Sequence, residues 1–410
     1  MHPTPADAAL QVDEIPAARR HLRVAFVTES YPPEVNGVAT TVARFVEGLH
    51  ARGHDLQLVR PRQALAPVAP ATGIDEVLTR GLPIPRYPQL RMGVPSKRAL
   101  VRLWSLRRPD VVHVATEGPL GWSALHAARH LKLPVTSDFR TNFHAYSRHY
   151  GIGWLDRPIM AYLRRFHNLC ACTFVPTESL RRGLAQAGFQ RLHVVPRGVD
   201  TVLFSPARRS DALRAAWGSG PGDLVLGLVG RLAAEKNLGL LRATWQAVRE
   251  RLPRARLVLV GDGPLRAELQ MQCPGAVFAG LRQGADLAAH YASLDLFLFP
   301  SLTETFGNVT VEALASGLPV LAFDHAAAGA LVDSGRNGWL VPAGDARGFV
   351  DAALHLSADA PLRQRLAAAA RETARGLGWD AVVSRFEAHL AAACAPVATV
   401  PRSLAQTSPA

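Results

Sequence analysis

The sequence predicts an α/β protein with two doubly wound, parallel-sheet domains that face each other across a cleft. Short apolar runs alternate with amphipathic helical runs, which is the pattern of parallel strands covered on both faces by crossover helices. This alternating series occurs twice along the chain. A length of 410 residues is also too great for one ordinary hydrophobic core, so two cores are expected.

The first series forms the predicted N-terminal domain, residues 21–205. Its strands are predicted at residues 22–29, 54–61, 109–116, 134–139, 172–177 and 192–200. Long helices are predicted at residues 39–53 and 121–133. Ligands of such sheets bind beyond the carboxyl ends of the strands, so this domain should form one wall of the cleft.

The second series forms the predicted C-terminal domain, residues 206–377. Its strands are predicted at residues 223–230, 256–263, 275–280, 295–300, 318–324 and 337–344, with helices between most of them. A last helix is predicted at residues 378–395. The two ends, residues 1–20 and 396–410, are rich in Ala, Pro and Ser and are predicted to be disordered.

The composition indicates a basic protein that attracts anions. The formal net charge is +13, and three of the 46 basic residues are lysine, namely Lys97, Lys132 and Lys236. No apolar run reaches the ~20 residues of a membrane span, and the first 20 residues lack a signal-peptide core. The four cysteines show no CxxC spacing. We therefore expect a cytoplasmic protein with reduced cysteines, able to work at the inner face of the membrane.

The segment SLTETFGNVTVEALASG, residues 301–317, places two glutamates beside a glycine turn. It follows a strand, and a helix should begin at Asn308, a good N-cap residue. Gly307 lets the backbone approach a ligand, and the first turn of the helix favours an anion. Carboxylates at Glu304 and Glu312 suit the hydroxyl pairs of a sugar or a ribose. Taken alone, each glutamate is at least as typical of a role without a ligand: Glu304 of a solvated loop charge, and Glu312 of a carboxylate that is favourable near a helix N-terminus.

A second segment, LVLGLVGRLAAEKNLGLL, puts two cations directly after a strand. Arg231 and Lys236 lie in the loop, and Asn237 should cap the helix that follows. Two cations at the carboxyl end of a strand suit a diphosphate leaving group. A lysine in a chain that otherwise uses arginine fits this interpretation better than a random surface position.

Five sequence blocks resemble the family 4 glycosyltransferases, which are retaining enzymes of the GT-B fold with two Rossmann-like domains. The blocks stand in the family's order within residues 22–390, and they read YPPEVNGVAT, VPRGVDTVLF, VGRLAAEKN, GDGP and TETFGNVTVEALASGLPV. The last block contains the E-x7-E signature of the family. The resemblance is strongest to the bacterial branch that includes mannosyl- and glycolipid-forming enzymes.

The resemblance implies a role for each matching residue. Arg231 and Lys236 should bind the diphosphate of a nucleotide-sugar donor, and Glu304 should hold the hydroxyls of its sugar. Glu312 should bind the ribose. Further donor contacts should come from Gly37 and from the backbone of Phe306, Gly307, Asn308 and Val309. The helix at residues 378–395 should cross back onto the N-terminal domain.

One position departs from the family pattern. Members often carry a His-Thr pair after the strand PVTS, where this chain reads SDFRTNFHAYSRHYG. Arg140 precedes Thr141 there, so Arg140, His113 or His144 could face the cleft in place of the family's histidine. Arginine cannot act as a general base, but it can stabilise a departing phosphate.

No metal or other cofactor is expected, because the sequence lacks a DxD motif that would hold Mg²⁺ against a diphosphate. Residues 95–110 mix basic and apolar side chains and could lie on an anionic membrane surface. The favoured alternative is a crossover helix with a solvated basic face. The aromatic interleaving of single-strand nucleic-acid platforms is absent, so we expect no nucleic-acid partner.

These observations predict a retaining transferase that moves a mannose or glucose-type hexose from a nucleotide-diphosphate sugar to a lipid or glycan acceptor. Two alternatives stay open: a GT-B sugar-nucleotide epimerase, and a nucleotide- or lipid-binding protein without turnover. A glycosidase is not favoured, because nothing fixes the carboxylate separation that its mechanism needs.

Overall fold

Two parallel sheets organise the chain in a computed structural model that describes residues 21–34, 37–63, 73–84, 87–140, 156–304 and 306–395. The strands of the N-terminal half are β1 (Arg23–Val27), β2 (Asp55–Pro61), β3 (Asp75–Thr79), β4 (Gly81–Ile84), β5 (Tyr87–Gly93), β6 (Val111–Val114), β7 (Val135–Asp138), β8 (Cys172–Val175) and β9 (Leu192–Val194). Seven of them form a sheet in the order β3-β2-β1-β6-β7-β8-β9, and β4 and β5 form a separate antiparallel pair.

Helices cover this first sheet. They are α1 (Gly37–Ala51), α2 (Lys97–Leu106), α3 (Pro119–His130), α4 (Asp156–His167) and α5 (Glu178–Gln186). Leu100 and Trp104 bury the apolar side of α2 in the domain core, while Lys97, Arg98 and Arg102 are exposed. This basic segment is therefore a crossover helix whose basic face is exposed, which both interpretations of the segment expect.

The C-terminal half contains a second parallel sheet. Its strands are β10 (Val225–Val229), β11 (Arg256–Val260), β12 (Val277–Gly280), β13 (Leu296–Phe299), β14 (Val320–Phe323) and β15 (Gly338–Val341). Its helices are α6 (Asp211–Ala216), α7 (Leu238–Arg251), α8 (Arg266–Gln272), α9 (Gly284–Ala292), α10 (Asn308–Ala315), α11 (Ala326–Leu331), α12 (Ala346–Ala358) and α13 (Ala360–Arg375). The six strands run in the order β12-β11-β10-β13-β14-β15. Two doubly wound α/β sheets are present, so the predicted fold class is confirmed.

Both sheets reverse their strand order at one point, between β1 and β6 and between β10 and β13. Such switch points open a crevice at the carboxyl ends of the strands, where ligands of these sheets bind. Every residue of β10 and β13 is buried, as expected for strands covered on both faces. A ligand site is therefore expected among the described loops at the carboxyl edge of each sheet.

The last helix, α14 (Trp379–Ala393), follows α13 of the second domain but packs on the first. The Phe386 ring stacks on Phe45 of α1 at 4.2 Å and also contacts Phe26 and Phe174. Arg52, after α1, donates to Glu387 at 2.7 Å. The end of the chain therefore completes the core of the N-terminal domain. In the described part of the chain, no helix combines the length and apolar character that crossing a membrane would require.

Candidate active site

Lys236 and Glu304 form an ion pair at the switch point of the second sheet. Lys236 Nζ donates to Glu304 Oε1, and Ser301 Oγ lies 3.0 Å from the same oxygen. The two charged side chains are 13% and 15% exposed. Leu302 N–H donates to the Glu235 carbonyl at 3.0 Å, which ties the two loops together. The structure thus brings together two residues that the sequence places 68 positions apart.

Arg231 lies in the same loop as Lys236 and is exposed. Its guanidinium makes no hydrogen bond or ion pair with other residues that the structure describes, so it is available to a ligand. The loop follows Gly230, whose φ of 149° is unfavourable for other residues. Arg231 and Lys236 therefore place two cations at the carboxyl end of β10, as the sequence predicts.

A glycine turn after β11 packs closely against the backbone of this loop. A Cβ atom at Gly261 would lie 2.0 Å from the Gly230 carbonyl oxygen, and one at Gly263 would lie 2.4 Å from the Leu232 carbonyl oxygen. Leu232 N–H donates to the Asp262 carbonyl at 2.9 Å. The GDG turn therefore serves as close backbone packing for the cationic loop.

The start of α10 corrects one sequence expectation. Gly307, with φ of 93°, occupies the N-cap position, and Asn308 is the first helical residue. The Asn308 side chain makes no capping bond and instead accepts a hydrogen bond from Arg197 Nη1 at 3.2 Å. Asn237 does stand at the N-cap of α7, but it has φ of 51° and no side-chain capping bond. The first turn of α10 still offers backbone N–H groups to an anion.

Phe306 and Val309 flank this turn. The Phe306 side chain is 2% exposed, and its carbonyl accepts from Ala327 N–H at 2.8 Å. Val309 packs against the domain core. These contacts hold the backbone between Glu304 and α10 in place, so any donor contact from these residues would come from their backbone.

Glu312 is half-buried one turn into α10. Its Oε2 accepts a hydrogen bond from the Tyr291 hydroxyl at 2.9 Å. Burial raises the pKa of Glu312 to about 7, although the bond from Tyr291 opposes this shift. Nothing in the sequence around Tyr291 indicates this contact, because the two residues meet only through the packing of α9 against α10.

His325 is a further residue at this edge, and the sequence pattern did not single it out. It follows β14, and neither ring nitrogen has a hydrogen-bond partner within the described ranges. Burial lowers its pKa, against the opposing charge of Glu304. A neutral imidazole donates from one ring nitrogen and accepts at the other, so either nitrogen can hydrogen-bond a sugar hydroxyl.

Across the cleft, Arg140 and Asp138 form a buried pair at the end of β7. Arg140 Nε donates to Asp138 Oδ2 at 2.6 Å, and the guanidinium lies 5.0 Å from the Phe45 ring centre. Burial opposes the charged form of Asp138, but Arg140 and His113 outweigh it and lower the pKa to about 2. Arg140 is buried, and its side chain exposes no surface, so the expected exposure of Arg140 to the cleft is not seen.

His113 lies in the domain core and does not reach solvent. Its Nδ1 is 2.9 Å from Thr136 Oγ1, and its Nε2 is 3.5 Å from Asp138 Oδ2. The structure therefore places His113 where it can act only through Asp138 and Arg140. His144, the third candidate of the sequence analysis, lies outside the described residues.

Gly37 begins α1 and approaches the donor side of the cleft. A Cβ atom there would lie 2.6 Å from Arg197 Nη1 and 3.5 Å from Asn308 Nδ2. The predicted Gly37 loop and the start of α10 are thus brought together, with Arg197 between them. The sequence analysis quoted Arg197 only inside a motif and gave it no role.

At the switch point of the first sheet, Glu29 follows β1 and faces the start of α3. Its Oε1 accepts from Leu120 N–H at 2.9 Å, and burial raises its pKa to about 7. This carboxyl lies at the carboxyl edge of the first sheet, and the sequence pattern did not single it out.

The chain is similar to glycosyltransferases along both domains. A family model described as Glycosyltransferase Family 4 matches residues 35–203, and one described as Glycosyl transferases group 1 matches residues 223–359. A GDP-mannose-dependent alpha-mannosyltransferase of Mycobacterium tuberculosis is 38% identical over 90% of this chain and 96% of that protein. Sulfoquinovosyl transferase SQD2 of Arabidopsis thaliana is 30% identical over 89% of this chain and 72% of that protein.

Solved structures support the fold. Anabaena HepE in complex with UDP matches 90% of this chain and 100% of its own, with a TM-score of 0.73 at 20% identity. Sucrose-phosphate synthase from Thermosynechococcus elongatus has a TM-score of 0.71 at 19% identity, over 90% of this chain and 100% of its own. Since relatives at 30–38% identity cover nearly the whole chain, it belongs to glycosyltransferase family 4 and is a glycosyltransferase of the GT-B fold.

Proposed function

We propose that the chain is a retaining, GDP-mannose-dependent α-mannosyltransferase that acts on a lipid or glycan hydroxyl. The observation that carries the proposal is the site at the second switch point, where Arg231 and Lys236 share the loop after β10 and Lys236 pairs with Glu304, shortly before the start of α10. Three relatives named GDP-mannose-dependent alpha-mannosyltransferase, at 34–38% identity, support the donor. A relative named alpha-monoglucosyldiacylglycerol synthase, at 26% identity, supports a lipid acceptor.

In the proposed transfer each group has a part. The bond between the anomeric carbon and the diphosphate breaks, and its electron pair stays on the phosphate oxygen. Arg231, Lys236 and the first turn of α10 stabilise that charge. Lys236 has three N–H donors, so it can keep its bond to Glu304 and still reach a phosphate. The acceptor oxygen bonds to the same face of the anomeric carbon, and its proton leaves with the diphosphate.

A panel of nucleotide sugars tests the donor. A ligand at 100 times its dissociation constant adds about 2.7 kcal/mol to the free energy of unfolding, so the correct donor should raise the melting temperature clearly. GDP-mannose should give the largest shift, and NMR of the product should show an α-linked mannoside. A larger shift with a UDP-sugar would contradict GDP-mannose as the donor. An epimerised sugar nucleotide without a transfer product would contradict the proposed transfer reaction.

The proposed reaction needs no metal, because Arg231 and Lys236 supply two cations at the diphosphate site. Within the part of the chain that the structure describes, no group of three or more His, Cys, Asp or Glu side chains is placed to hold a metal. Transfer should continue in excess EDTA. Activity that disappears with EDTA and returns with Mg²⁺ or Mn²⁺ would contradict this part of the proposal.

The basic face of α2 is the proposed membrane contact. Arg98 and Arg102 are both exposed on it, one helical turn apart. Replacing both with Gln should weaken binding to anionic liposomes, and salt should weaken the binding of the wild type. The matched control replaces Arg242 and Arg251, which are exposed on α7 of the other domain. Equal binding to neutral vesicles, or an equal loss in the control, would remove α2 as the contact.

A further inference from the structure

We infer that Arg197 is a third cation of the leaving-group site, which the N-terminal domain brings to the donor diphosphate. Arg197 follows β9 and is 6% exposed. Its Nη1 donates to Asn308 Oδ1 at 3.2 Å across the cleft, and its Nη2 donates to the Arg140 carbonyl at 3.3 Å. The inference rests on the proposed function, since it names a further residue for the same reaction.

Arg197 lies where two helix N-termini meet. Gly37 begins α1 and Asn308 begins α10. A Cβ atom at Gly37 would be 2.6 Å from Arg197 Nη1, so the start of α1 lies directly against the guanidinium. The start of each helix carries partial positive charge and N–H groups that favour an anion. An anion at this point would meet positive charge from both domains.

Arg140, whose carbonyl accepts from Arg197, has two donor groups that lack an acceptor. It is 2% exposed, and its Nε is committed to Asp138. Its Nη1 and Nη2 are buried and have no hydrogen-bond partner among the residues that the structure describes. Buried donors without acceptors are costly, and native proteins rarely leave them so. A phosphate group has enough acceptor oxygens for two neighbouring arginines.

The position next to α10 points to the β-phosphate of the donor. The Arg197 guanidinium lies 6.0 Å from the Phe306 ring centre, beside the turn that begins α10. A Cβ atom at Gly307 in this turn would be 3.7 Å from Glu304 Cγ, and Glu304 holds Lys236. The arginine and the lysine therefore both approach the same turn. As the anomeric bond breaks, the β-phosphate oxygen keeps the electron pair, so a cation here acts most strongly in the transition state.

Binding of GDP and GMP separates this role from a structural one, because the two nucleotides differ by the β-phosphate. In calorimetric titrations, Arg197→Gln should weaken the binding of GDP about 10- to 150-fold, as expected for a lost charge-assisted contact. The binding of GMP should weaken less than about threefold. Turnover of GDP-mannose should fall by a factor similar to that for GDP. Arg197→Lys keeps the charge but loses the planar fork, so it should be intermediate.

One further variant completes the design. If Arg197 only joins the domains through Asn308, then Arg197→Gln should weaken the binding of GDP and of GMP equally. Arg209→Gln is the matched control, because Arg209 bonds the Leu294 carbonyl at 3.0 Å, at the amino end of β13 and thus at the opposite edge of the sheet. It should leave both affinities unchanged.

The inference is wrong if Arg197→Gln binds GDP and turns over like the wild type, or if it weakens GDP and GMP equally. Melting of each variant without ligand shows whether it is folded, and Arg197→Lys remains informative if the glutamine variant is not. If the wild type binds UDP but not GDP, then the proposed donor is wrong. The same variants measured with UDP and UMP then decide the role of Arg197.

Discussion

At the scale of single residues, the Lys236–Glu304 pair is the central feature of the site. Both side chains are mostly buried, and each would contact a different part of the donor. A buried pair loses much when one partner is removed, because the other charge is left alone in a poorly solvated place. Glu304 therefore has a structural task, holding the lysine, beside its expected contact with the sugar.

Replacing Lys236 tests this site directly. Lys236→Gln keeps a polar N–H donor but removes the charge, so single-turnover transfer should slow at least about 10-fold. The matched control is Lys132→Gln, since Lys132 is exposed at the end of α3, far along the chain from the switch point. A glutamine variant at position 236 that transfers sugar at the wild-type rate would mean that the diphosphate does not sit there.

Glu312 gives a prediction about pH. Its pKa is about 7 in the folded chain, against an ordinary value of 4.5, so between these pH values the folded state holds a proton that the unfolded state has lost. Its contribution to stability is therefore present below about pH 4.5 and is lost as the pH rises through 7. Glu312→Gln cannot ionise, so its melting temperature should rise relative to the wild type between pH 5 and pH 8.

The same variant tests the ribose contact. If the ionised carboxylate accepts hydrogen bonds from ribose, then Glu312→Gln should bind nucleotide more weakly, and the deficit should grow between pH 6 and pH 8. The pH dependence of nucleotide itself cancels in the ratio of variant to wild type. Parallel affinities across this range would exclude ribose binding by this carboxylate, and parallel melting curves would exclude its raised pKa.

At the scale of elements, the strands were the easiest part to predict. The apolar sequence of β10, which is buried at every residue, predicts a buried strand without any information about the strands beside it. The loops after β10 and β13 could be placed for the same reason, because parallel strands bring their carboxyl ends to one edge. Strands β3, β4 and β5 were missed. β4 carries Gly81 and Pro83, and its Leu82 is 55% exposed, while β3 begins with the charged pair DE, so these residues do not show the apolar pattern of a buried strand.

The contacts between distant loops could not be read from the sequence. Arg197 meets Asn308 across 111 positions, and Tyr291 meets Glu312 through the packing of two helices. Asn308 was expected as an N-cap from its residue type alone. Gly307 takes that position because its φ of 93° costs a glycine little. The side-chain amide of Asn308 is therefore not used as a cap, and its oxygen accepts the hydrogen bond from Arg197.

The glycine turn after β11 allows a prediction at this scale. Gly261→Ala would put a Cβ atom 2.0 Å from the Gly230 carbonyl oxygen, at φ of 130°, and backbone cannot move aside as a side chain can. The free energy of unfolding should fall by at least about 2 kcal/mol. Gly239→Ala is the control, because its Cβ would meet nothing within 4 Å in α7. It should be neutral or stabilise by up to about 1 kcal/mol. Equal denaturation midpoints for the two variants would contradict the backbone packing described here.

At the scale of the whole molecule, α14 joins the two domains. It continues from α13 of the second domain, yet its buried residues belong to the core around β1, α1 and β8. Val199 N–H donates to the Leu377 carbonyl at 3.0 Å, so the chain crosses between the domains beside the loop that carries Arg197. The orientation of the cleft and the stability of the first domain therefore depend on the same helix.

Phe386→Ala tests this dependence. The ring is fully buried among Phe26, Phe45 and Phe174, and removing it should cost about 3–5 kcal/mol. The loss should appear in the N-terminal domain, which contains most of the contacts although it precedes α14 by hundreds of residues. Hydrogen exchange measured by peptide should therefore rise in β1, β6 and β8 and stay low in β10 and β13.

Phe349→Ala is the matched variant, because Phe349 is equally buried, on α12 of the second domain against Phe323. It should give the reverse pattern, with faster exchange in β10 and β13 and little change in β1. If Phe386→Ala instead loosens α14 alone, that helix is an attachment that the first domain does not need in order to fold. If both variants raise hydrogen exchange equally in both sheets, the two domains unfold as one cooperative unit. In that case α14 couples the stability of the two domains.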